Sequence, residues 1–141
     1  MKTDTETNCA LRNARAHIAS WADAYAKYQA LNSGVSEVEI DGETFNDPTD
    51  IAERLCEGAL SVEVRGDWHT TGREPSNSEF RILVSTGGPA FQITGDLDMY
   101  GNPTSARAEH QDWDTPWAKV ELDNTEQAAV AWFATLFYYV E

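Results

Sequence analysis

The sequence predicts an α+β domain: an antiparallel sheet of about four strands packed by N-terminal and C-terminal helices, with an acidic hairpin and a short helix inserted after the first helix. Apolar residues recur at three- and four-residue steps near both ends of the chain. Between residues 60 and 110 they instead alternate with period two, and clusters of Gly, Pro, Asn and Asp separate the alternating runs. At 141 residues, with no repeat, linker or low-complexity tract, the chain reads as one domain, 1–141. That length buries a core without disulfide staples.

Leu11, Ala14, Ile18, Trp21, Tyr25 and Tyr28 define a long amphipathic helix from about Asn8 to Leu31, closed by Ser33-Gly34. Glu37 to Phe45 alternates, with a hairpin-turn signal at Asp41-Gly42. Asp47 as N-cap and Pro48 at the first helical position start a short helix that stops at Gly58. Strands follow. Leu60, Val62 and Val64 share one face, Phe80 to Val84 forms a second strand, and Gly87-Gly88 turns it into Phe91 to Thr94. Tyr100 to Pro103 marks a turn, Ser105 to His110 a fourth strand, and Trp117 to Leu122 either a short fifth strand or an extended connection. Asp123 to Glu126 has the form of a capping box opening the last helix. The run Ala128 to Val140, broken only by Thr135, is too short for the ~20 residues of a membrane span and predicts a buried helix, apolar nearly all round. Such a helix is either sandwiched in the core or covered by a second copy, which raises a homodimer through it.

The net charge of −14, from 24 acids against 10 bases, repels nucleic acid and anionic membrane and steers towards basic partners. The excess is not uniform: residues 37–57 hold eight acids and one base, and residues 96–126 eight acids and two bases. Scarce lysine keeps halophilic solvation open as a second explanation. Cys9 and Cys56 have neither a disulfide-framework count nor a CxxC spacing, and the first twenty residues lack a signal-peptide core. A soluble, cytoplasmic protein with reduced thiols is the expectation.

If extended, "EVEIDGE" sets Glu37, Glu39, Asp41 and Glu43 about 6.6 Å apart on one face, a spacing close to that of nucleic-acid phosphates. The plain alternative is an ordinary hairpin turning at Asp41-Gly42 with a charged wet face. Asp47, Asp50, Glu53 and Glu57 continue the negative surface, and Asp96, Asp98, Asp112 and Asp114 suggest a second patch. Asp67, His69, His110 and Asp112 could converge as a His/carboxylate metal site, but the spacing is not diagnostic, and neither metal nor cofactor is assigned. Trp68, Trp113 and Trp117 outline a second binding option, a tryptophan-lined groove. "STGGPA" lies between strands, which favours a hairpin turn over a phosphate cradle, and Arg65-Gly66-Asp67 as an adhesion tripeptide suits no cytosolic protein. No local signature of nucleophilic catalysis is present.

"EVRGDWH", "EFRILVSTGGPAFQITGDLD" and "QDWDTPW" together resemble a family of small uncharacterised proteins carried on bacterial phages and plasmids. The resemblance covers roughly Ser61 to Trp117, with an aromatic C-terminal segment, and transfers no catalytic residues. A mobile-element origin implies an inhibitor of a host defence complex, of the anti-CRISPR or anti-restriction kind. The expected function is non-catalytic: an acidic nucleic-acid mimic occupying a basic DNA- or RNA-binding surface, without touching nucleic acid or membrane itself. The alternatives are a binding or regulatory domain using the tryptophan groove and, third, a metal-dependent enzyme using the His/Asp cluster.

Overall fold

The computed structural model describes residues 9–66, 68–72, 77–86, 88–112 and 115–139. Its elements are α1 (Cys9–Asn32), β1 (Val38–Ile40), β2 (Glu43–Phe45), α2 (Pro48–Glu57), β3 (Ser61–Gly66), β4 (Asn77–Ser85), β5 (Ala90–Asp96), β6 (Arg107–Gln111), β7 (Ala118–Lys119) and α3 (Asn124–Ala134). The class is α+β, with a two-stranded sheet β1-β2 and a five-stranded antiparallel sheet in the order β3-β4-β5-β6-β7. The sheet has five strands, not about four. Glu109 and His110 find partners in Lys119 and Ala118, so the segment after Trp117 becomes a short edge strand.

Sheet order follows chain order, so every large-sheet connection joins neighbouring strands. Phe80, Ile82 and Val84 of β4, Phe91 and Ile93 of β5 and Ala108 of β6 are buried on one face, as the period-two pattern requires. Against that face lie α1, through Ala14, Ile18 and Trp21, and α3, through Ala129, Val130 and Phe133. Rings knit this layer together: Trp21 stacks on Phe133 at 3.9 Å and on Phe91 at 5.4 Å, and His17 on Phe91 at 5.5 Å.

The C-terminal part of α1 extends past the sheet. There Ala24 and Leu31 join Ile40 and Phe45 of the hairpin, Ile51 of α2 and Trp132 of α3 in a second cluster. Trp132 lies between Tyr25 and Tyr28, at 4.9 and 5.1 Å. The hairpin and α2 thus form a lobe carried on α1, and α3 is lined from both clusters. Both apolar sides of α3 find cover within the chain, which removes the need for a second copy to bury them.

Local chemistry sets most of the boundaries. Asp47 accepts the Thr49 N–H at 2.9 Å with Pro48 following, and Asp123 and Glu126 form a reciprocal capping box. Gly34, at φ 106°, closes α1. The last helix is shorter than the apolar run from Ala128 to Val140 predicts, ending at Ala134. The Thr135 hydroxyl donates to the Trp132 carbonyl at 2.6 Å, and the Tyr139 hydroxyl to the Ala134 carbonyl at 2.6 Å. Both acceptors are ones that further helical turns would have used. Residues 135–139 instead return over the sheet, where Asn77 donates to the Tyr139 carbonyl at 2.7 Å and the Tyr139 ring packs on Phe80.

Candidate functional site

In the lobe, Val38 pairs with Phe45, Glu39 with Thr44 and Ile40 with Glu43. Asp41 and Gly42 have φ of 51° and 81°, the positive pair that a type I′ turn requires. The chain therefore reverses inside "EVEIDGE", and no extended four-carboxylate row forms. Glu39 faces away from α1, Asp41 sits in the turn, and Glu43 lies on the same hairpin face as Ile40. Both Asp41 and Glu43 are claimed by Arg54 of α2, whose guanidinium lies 3.4 Å from Asp41, makes an ion pair with Glu43, and stands over the Phe45 ring.

What remains is a different acidic surface. Glu37 and Glu39 on the hairpin, and Asp50, Glu53 and Glu57 on α2, are exposed and make no ion pair with Lys or Arg among the described residues. Ile51 and Leu55 turn inward, which holds Asp50, Glu53 and Glu57 on the wet side of α2. Lys27 is the neighbouring cation; it pairs with Asp23 at 2.9 Å and donates to the Glu39 backbone carbonyl at 2.5 Å. Asp47 is occupied as a cap.

Among the described residues, Asp96 and Asp98 of the second acidic patch lie apart from Asp112. Asp96 and Asp98 follow one end of the β5–β6 ladder, while Asp112 follows the other, where Ala90 pairs with Gln111. Six strand steps, about 20 Å, separate those ends. Asp98 serves its own loop: it accepts the Tyr100 and Asn102 N–H groups at 2.8 and 3.0 Å, and these bonds, the Asn102 N–H foremost, hold its carboxyl below the usual range. Asp112 shapes the turn with Thr115, whose hydroxyl accepts its N–H at 3.1 Å. Asp114, Asp67 and Trp113 lie outside the described residues.

His69 and His110 do not converge. His69 follows the Gly66–Asn77 end of edge strand β3, whereas His110 pairs with Phe91 at the opposite end, beside edge strand β7. Trp68 and Trp117 lie at the same two diagonal corners, so they cannot line one groove; Trp68 is fully exposed. Among the described residues no group of three or more His, Cys, Asp or Glu could hold a metal. The Cys56 thiol donates to the Leu136 carbonyl at 3.4 Å, and burial, then Glu53, raises its pKa, which disfavours a nucleophilic role.

A feature not singled out from sequence is the outer sheet face, a hollow of about 400 Å³ lined by charged side chains of β3 to β6. Its charges match internally: Arg81 meets Glu63 at 2.7 Å, Arg65 meets Glu79 at 2.5 Å, and Arg107 meets Asp96 at 3.8 Å. Glu109 accepts from Thr94 at 2.7 Å and from Gln92 at 3.2 Å. The alternation of Glu63/Arg65, Glu79/Arg81 and Arg107/Glu109 was the available signal. A largely self-neutralised lattice attracts a charged partner far less than the lobe does.

Compared with family models, curated proteins and solved structures, the chain matches none. No helix is long and apolar enough to cross a membrane among the described residues.

Two histidines make stability depend on pH. His17, stacked on Phe91, and His110, whose Nδ1 is buried without a hydrogen-bond partner among the described residues, have pKa values below 6.5 because burial disfavours the cation; Asp112 opposes this at His110. The unfolded chain then takes up protons first, so stability is full above 6.5 and falls as the pH drops towards the folded values. Urea midpoints at neutral pH and about one unit below 6.5 should differ in wild type, and less in His17→Gln/His110→Gln.

Proposed function

We propose that the protein is a non-catalytic binding protein whose hairpin-and-α2 lobe occupies a basic, nucleic-acid-binding surface of another protein. A bacterial defence complex of the CRISPR or restriction kind is the target class. The supporting observation is the charge imbalance of the lobe: residues 37–57 hold eight acids against one base, and that base, Arg54, is committed to Asp41 and Glu43. Glu37, Glu39, Asp50, Glu53 and Glu57 are left to face solvent. Exposed like charges repel one another and contribute nothing to the fold's own stability. A cationic channel relieves that repulsion and gains association rate, with strong salt dependence. The carboxylates follow a bent surface made by a turn and a helix, so any mimicry is of charge density and not of a straight phosphate row.

The test is capture from lysate of a host carrying CRISPR and restriction systems, washed at low and high salt. The wild type is expected to retain a nucleic-acid-handling complex at low salt and to release it to salt or added duplex DNA. Glu37→Lys with Glu39→Lys should weaken capture roughly tenfold or more, about 1.4 kcal/mol or above, at an unchanged melting temperature. Equal capture by this variant, or a captured partner indifferent to DNA, would remove the lobe from the interface.

A further inference from the structure

Edge strand β3 is built differently from the other four strands of its sheet. It pairs with β4 through Val64↔Phe80 and Val62↔Ile82, which puts Val62, Val64 and Leu60 on the helix-covered face of the sheet. Phe80 and Ile82 on that face are 2% and 0% exposed, yet Leu60, Val62 and Val64 are 58%, 38% and 38% exposed. The helical layer ends before it reaches them. Beyond β3 no strand pairs among the described residues, so a six-residue edge offers its backbone groups along with three apolar side chains. Free edges are usually blunted by Lys, Pro, a bulge or brevity, and the register of β3 shifts only at its end, between Arg65 and Gly66. The sequence SVEVRG has neither Lys nor Pro, whereas the opposite edge, β7, is two residues long.

We propose that β3 is a homodimer interface, pairing antiparallel with β3 of a second copy so that two five-stranded sheets become one of ten. Self-complementary charge selects the occupant and the register. On the outer face β3 carries Glu63 and, two residues on, Arg65. A two-fold axis through Val64 sets Glu63 opposite the partner's Arg65 and Arg65 opposite the partner's Glu63, while the two Val64 side chains meet on the inner face. The existing bonds of Glu63 to Arg81 and Arg65 to Glu79 extend into a continuous row of alternating charge across the seam. An axis at Glu63 would instead oppose like charges, which cross-strand pairs disfavour. An axis at Val62 matches apolar residues but pairs neither charge.

Sedimentation in about 0.15 M salt, where long-range repulsion between two chains of charge −14 is screened, gives the first readout. The wild type is expected to shift with concentration from 15.7 kDa towards twice that mass; a monomer at every concentration overturns the proposal. Glu63→Arg or Arg65→Glu turns both interchain pairs into like-charge pairs and should weaken the dimer roughly tenfold or more. Mixing these two variants restores both pairs and should restore the dimer. Val64→Lys, which keeps Glu63 and Arg65, should dissociate it again by placing two ammonium groups on the axis. Single variants that remain dimeric, or a mixture that stays monomeric while each variant keeps its circular dichroism spectrum, would overturn the assigned interface.

Discussion

Trp21→Ala should destabilise the protein by about 3–5 kcal/mol, the range of large aromatic truncations in cores. Trp21 is 4% exposed and sits between the sheet and α3, against Phe91 on one side and Phe133 on the other. Its ring lies within 10° of parallel to Phe133, so truncation removes stacking contacts on both partners as well as apolar burial. The cavity would open where three elements meet, and a five-stranded sheet cannot collapse to fill it. Urea denaturation reads the result: the midpoint should fall sharply while the slope is kept. A loss below about 1 kcal/mol would mean that α1 is not seated on this face.

Gly95→Ala should cost about 3 kcal/mol or more, at or beyond the upper end for added core atoms. A Cβ on Gly95 would lie 2.0 Å from the Ser105 carbonyl oxygen and 2.6 Å from the Phe80 ring. The ring could swing aside only by leaving Tyr139, on which it packs at 4.8 Å. The backbone at Ser105 cannot swing, because its segment crosses directly over β5; Thr104 N–H donates to the Asp96 carbonyl at 2.8 Å, and the Ser105 hydroxyl reaches Asp96 at 2.9 Å. A melting temperature lower by roughly 10 °C is expected. An unshifted transition would show that residues 104–105 do not cross there.

Much of this arrangement was legible because it is local. Asp47-Pro48, Asp41-Gly42 and Asp123 to Glu126 each declare a cap or turn through their own backbone chemistry, and the structure uses all three. Period two set Leu60, Val62 and Val64 on one face of their strand, and the pairing with β4 puts Val62 and Val64 beside Ile82 and Phe80. The pattern says which way a side chain points, not whether a helix extends far enough to cover it. The separation of His69 from His110, and of Trp68 from Trp117, depends on which end of which strand each follows, a property of sheet order that no spacing encodes. The early stop of α3 was hidden for a similar reason: beside the local Thr135 hydroxyl, its second capping hydroxyl comes from Tyr139, itself held by Asn77. In the acidic segment the turn was readable, but the capture of Asp41 and Glu43 by Arg54 required knowing how α2 returns beside β2.

The chain-order sheet has a consequence for the kinetics of refolding. Each of its ladders joins sequence neighbours, so β3 to β7 can zip up hairpin by hairpin with small loop-closure cost. The helices that cover it are different: Asn32 ends α1 and Asn124 begins α3, 92 positions later, and each contributes one ring of the Trp21–Phe133 stack. Closing the Trp21–Phe133 stack therefore spans far more chain than any one strand pairing, and its loop-closure entropy cost is the larger.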